Sequence, residues 1–174
     1  MMEKINVLTL IVAHIRTLKD HRTDRYSKRD IGLFIFVPIM LGFLSYYLGL
    51  SLSGSARESL SAIYAVFAAL LLSAQIGLLG LRRNRTYEDL GAIERNRMIE
   101  DDKAFNSFLR SLSANISFLI FLSVVFLLAV VLRIVASGLK EVLDATLLTL
   151  SAMFFINLLM VIKRVFVAFD ASYE

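Results

Sequence analysis

The chain has 174 residues, 57% of them hydrophobic, and a formal net charge of +4. An average soluble domain carries a smaller apolar share, about 45–50%, so an ordinary water-soluble fold is excluded. The absence of cysteine excludes disulfides, thiol catalysis and thiolate metal sites, and the net charge, which mostly records an uneven distribution of Lys and Arg along the chain, is not read as nucleic-acid affinity.

Residues 3–19 predict an amphipathic helix. Ile5, Val7, Leu8, Ile11, Val12, Ile15 and Leu18 share one arc of the helical wheel, with Asn6, Thr9, Arg16 and Thr17 opposite. The polar face is poor in lysine, which favours docking on the protein or on another subunit over floating among lipid headgroups. Residues 20–25 break the pattern as a turn, and Tyr26 suits a membrane interface. Residues 1–30 thus form an N-terminal unit. They lack the early apolar core and small-residue cleavage site of a secretory signal, so this unit is expected to stay attached.

Four stretches, 31–56, 59–81, 111–132 and 145–162, contain no Asp, Glu, Lys or Arg. About 20 apolar helical residues cross a hydrocarbon core of roughly 30 Å, and the last stretch reaches that length once Lys163 and Arg164 snorkel. The expected fold is an all-α polytopic membrane protein with four transmembrane helices in two hairpins. The first hairpin covers 31–81, with helices over 31–50 and 57–81; the second covers 111–168, with helices over 111–136 and 143–168. Residues 169–174 are a tail. Pro38 deprives the Phe34 carbonyl of its donor and should bend the first helix. Tyr46, Tyr47 and Tyr64 read as an outer aromatic belt.

The second helix carries Ser61, Ala65, Ala69, Ser73 and Gly77 at every fourth position. Small residues at that interval let helices approach closely in lipid, within the chain or between copies. Gln75 and Asn157 lie at similar depth and could hydrogen-bond one another across helices, a contact worth about 0.6 kcal/mol on average. Arg133 lies near the outer end of the third helix. Glu58, Glu141 and Asp144 are its candidate partners, and snorkelling to the boundary is the simplest expectation.

The segment 82–110 alternates charge sign. Thr86 with Asp89 resembles a capping box, and Tyr87, Leu90, Ile93 and Met98 recur near helical spacing. A cytoplasmic helical hairpin extending the second and third membrane helices is expected. Tyr87, Leu90, Ile93, Arg95, Arg97 and Met98 form its candidate face for a cytosolic protein partner. Orientation follows from charge. Of 19 Lys and Arg residues, seven lie in 1–30, seven in 82–110 and two at Lys163 and Arg164, leaving Arg57, Arg133 and Lys140 for the other side. The positive-inside rule then places both termini and the central segment in the cytoplasm, for a multi-pass protein of the plasma (inner) membrane.

Catalytic patterns are missing. The histidines are His14 and His21, and the Arg16…His21 spacing is readily supplied by chance in an arginine-rich chain. There is no phosphate-binding glycine loop, catalytic triad or metal-ligand cluster, so no enzymatic activity and no cofactor are expected. The Asn115-Ile-Ser117 sequon falls on the cytoplasmic side, where it is not used.

In helix count, cytoplasmic termini and size, this layout resembles the small multispan membrane subunits of bacterial anti-phage systems of the Kiwa type (KwaA-like). The resemblance carries no functional residue across. It implies a cytosolic effector partner and a response to envelope disturbance. The leading expectation is an oligomeric membrane subunit, in contact with the lipid bilayer, acting as sensor, scaffold or effector. A homo-oligomeric pore or transporter is the alternative, with Pro38, Gln75 and Asn157 as the features to watch. A membrane-perturbing phage or plasmid protein is a third.

Overall fold

The computed structural model describes residues 7–17, 32–81 and 91–170, and every regular element among them is helical. Helix α1 covers Val7–Thr17. Helix α2 covers Gly32–Tyr47, opening with a π-helical turn over Gly32–Phe36. Helix α3 is Gly54–Gly80, α4 is Ala92–Val135, and α5 is Lys140–Asp170. A 3₁₀ turn, Ser137–Leu139, joins the last two.

Helices α3, α4 and α5 are each long and apolar enough to cross a membrane. Helix α2 is shorter than the stretch 31–50 expected from the sequence. Its five π and eleven α residues extend at most roughly 24 Å at an α-helical rise. The early stop is local. Gly49 adopts φ 63°, its N–H reaches the Tyr46 carbonyl at 3.2 Å, and Leu50 N–H reaches the Ser45 carbonyl at 3.0 Å. That double bond is the Schellman cap, which needs a residue tolerant of the left-handed region. The widened turn at the other end of α2 finishes at Phe36, two residues before Pro38, whose nitrogen has no proton for the preceding carbonyls.

Helix α3 begins at Gly54 rather than 57 because Ser53 caps it, its Oγ accepting from Ala56 N–H at 3.1 Å. Helix α4 is a single rod of 44 residues, roughly 66 Å long. The charged residues 92–110 and the apolar residues 111–132 therefore share one axis.

The helices form a row in the order α3, α4, α5, α2, with α1 lying on α4. Although a short connection joins α2 to α3, their backbones do not pack together. Helix α2 lies on α5 instead, through Phe34, Pro38, Gly42 and Ser45, all buried. A Cβ on Gly42 would collide with Thr149 Oγ1, so this crossing depends on glycine. The core lies mid-row, where Tyr64 of α3 stacks on Phe126 of α4 (ring centroids 3.9 Å apart) and meets Phe154 of α5 edge-on at 4.7 Å. Tyr64 is fully buried and so does not belong to an aromatic belt; Tyr46 and Tyr47 are exposed.

Candidate functional site

Two buried polar clusters sit towards opposite ends of α4 and α5, along their length. At the end away from α1, the α4–α5 turn brings Arg133 over Asp144. Arg133 Nε donates to Asp144 Oδ1 at 2.9 Å and Nη2 to Oδ2 at 3.1 Å, a bidentate fork. Arg57, at the start of α3, places Nη1 3.6 Å from the same Oδ1 and donates from that nitrogen to the Leu52 carbonyl at 3.0 Å. The Asp144 side chain is 1% exposed, and those of Arg133 and Arg57 are 13% and 24%. Arg133 therefore does not snorkel alone at the boundary. It turns into the protein, because a buried carboxylate without a cation would be far more costly. Of the expected partners, the structure selects Asp144.

The other cluster joins α1 to the row. His14 is buried, stacks on Phe118 of α4 with ring centroids 3.9 Å apart, and bonds through Nδ1 to Asn115 Oδ1 at 3.0 Å. An amide oxygen only accepts, so Nδ1 carries the proton. Asn157 and Arg164 of α5 complete the surroundings. Burial is the main cause that holds the His14 imidazole below its ordinary value of 6.5. Asn115 opposes this, the Arg164 cation adds to it, and Asn157 opposes it more weakly. Asn157 Nδ2 also donates to the Met153 carbonyl at 2.7 Å.

Gln75 and Asn157 do not meet. Gln75 Nε2 donates to Ser117 Oγ at 2.7 Å, tying α3 to α4, whereas Asn157 faces the α1 cluster. Tyr64 and Ser151 bring buried hydroxyls towards one another without a well-formed hydrogen bond. The small-residue stripe faces outwards. Ser61 is half-buried, with its Oγ donating to the Arg57 carbonyl at 2.8 Å. Ala65, Ala69, Ser73 and Gly77 are exposed, and nothing stands within 4 Å of a Cβ built on Gly77. On the charged part of α4, Ile93 is 90% exposed, Arg95 and Arg97 are exposed, and Met98 is half-buried. Tyr87 and Leu90 lie outside the described residues.

Among the described residues, no group of three His, Cys, Asp or Glu side chains is placed to hold a metal ion. What both clusters supply is helix-to-helix locking, one through a two-arginine clasp and one through a neutral imidazole. Comparison with protein-family models, with curated proteins and with solved structures finds no match.

Proposed function

We propose that the chain is an oligomeric four-helix membrane subunit, with both termini in the cytoplasm, that presents a helical face to a soluble partner as sensor, scaffold or effector. The observation that carries this reading is the continuity of α4. Its apolar half, 111–132, and its charged half, 92–110, form one helix, so an event at one half is transmitted to the other without a flexible joint. Ile93, exposed at the tip with Arg97 one turn further along the same face, is the apolar anchor with a basic neighbour that a protein partner would cover. In this reading α2 spans as the fourth helix, shortened by its glycine cap and completed by local bilayer thinning. Placement in anti-phage defence rests on layout alone.

Native mass spectrometry of the tagged protein, extracted gently from its host membrane, tests this. A heteromeric mass that is lost with Ile93→Asp supports the subunit reading. A closed homo-oligomer without partner, accompanied by ion flux in liposomes, would replace it with the pore reading.

A further inference from the structure

One concave feature at the α1 end belongs to neither polar cluster. Near the end of α3, that helix and α4 leave a cleft of about 530 Å³, lined by Leu78 and Leu79 from α3 and by Asn106, Ser107, Leu109, Arg110 and Ser113 from α4. That volume falls within the range of small-ligand clefts, about 300–1,000 Å³. Positions 106, 110 and 113 fall on one face of α4 by helical spacing. Arg110 is the last charged residue before the charge-free stretch 111–132, so it marks the depth at which hydrocarbon gives way to headgroups. Its side chain is exposed, with no ion-pair partner among the described residues. The opposite wall is apolar, with Leu79 71% exposed.

A guanidinium at headgroup depth, hydroxyls on either side of it and a leucine wall together match an amphiphile with an anionic head. We propose that this cleft binds the headgroup of an anionic phospholipid. Arg110 takes the phosphate in a charge-assisted fork, Ser107 and Ser113 donate to phosphate or glycerol oxygens, and an acyl chain follows Leu78 and Leu79. Clefts of this kind on the cytoplasmic side suit lipids of the negatively charged leaflet. A free inorganic anion would use the polar wall and leave the leucines without a role. The proposal needs α3 and α4 to cross a bilayer and is independent of any protein partner.

The test is titration of the full-length protein in detergent with short-chain phosphatidylglycerol, phosphatidylcholine or inorganic phosphate, with bound mass read by native mass spectrometry. Phosphatidylglycerol should be retained in preference to phosphatidylcholine, and Arg110→Gln should weaken that retention by about fivefold or more. Arg97→Gln removes the same charge from α4 outside the cleft and should leave retention unchanged. Leu79→Glu should lower it with the guanidinium intact. Equal losses for Arg110→Gln and Arg97→Gln, or no preference between the two lipids, would overturn the proposal. Inorganic phosphate binding with the same dependence on Arg110 would reassign the cleft to free anions.

Discussion

Asp144 and His14 are the two residues whose surroundings make the sharpest demands. Removing one member of a fully buried ion pair costs about 3–5 kcal/mol. Arg133 and Arg57 retain some solvent, at 13% and 24% exposure, so Asp144→Ala should cost less, about 2–3 kcal/mol of unfolding free energy in bicelles. A cycle with Arg133→Met should give a coupling energy above about 1 kcal/mol; simple additivity would show that the fork is idle. His14 makes a prediction in pH. Since the docked imidazole is held below 6.5, the undocked ring binds more protons, and protonation opposes docking. Docking of α1 should be complete above pH 6.5 and weaken as the pH falls towards the lowered value. The chain has no cysteine, so Ile11→Cys gives a single label site on the docked face. Its modification, relative to an Ile93→Cys control, should rise on acidification, and His14→Phe should flatten that rise. Asp144 was legible only as one of three candidate partners of Arg133, eleven residues on across a short turn; that burial would favour it over snorkelling depends on how α3, α4 and α5 pack, which the sequence does not display. The His14 partner was not legible, because Asn115 lies 101 residues away and a lone histidine in an amphipathic pattern does not announce which helix it meets.

Between elements, the least expected pairing is α2 with α5. A short connection favours neighbours in sequence as neighbours in space, and the stretch 31–81 accordingly read as a hairpin. Surface shape decides otherwise. Pro38, Gly42 and Ser45 give α2 a shallow face, and α5 answers with Ala145 and Thr149, close enough that a Gly42 side chain has no room. Gly42→Val should therefore destabilise the α2–α5 contact by about 1–3 kcal/mol, the usual cost of overpacking. Hydrogen exchange should localise the loss to α2, with α3 and the Gln75–Ser117 contact unaffected; uniform loss across all helices would contradict the row. Both helix ends flanking that connection were misplaced by three residues, at Tyr47 and Gly54, although their signals are local: Ser53 and Gly49 act through hydrogen bonds spanning at most five positions. Tyr64 shows the converse. Its position near one end of an apolar stretch suggests an aromatic belt, and only the approach of Phe126 and Phe154 from other helices buries it.

For the whole molecule, a row of helices leaves two edges, and the edges differ. Helix α2 presents bulky side chains such as Phe36, Phe43 and Tyr47, all well exposed. Helix α3 presents the shallow track of Ala65, Ala69, Ser73 and Gly77. Only 11% of the most apolar window of α3 is buried, against 33% in α4 and α5. Lipid covers either edge adequately, since acyl chains are as apolar as leucine. The track therefore needs no partner for solubility. What it offers is close backbone approach, which lipid does not exploit and a second helix does. If copies associate along α3, Ala69→Leu should abolish the homo-oligomer in native mass spectrometry while the unfolding free energy of the monomer stays within the small range typical of exposed substitutions, about ±0.5 kcal/mol. An enlargement off the track, Leu72→Phe at a residue 53% exposed, should leave assembly intact. An oligomer that survives Ala69→Leu would show that the track faces lipid in every copy, and would move the search for an interface to the bulky edge of α2.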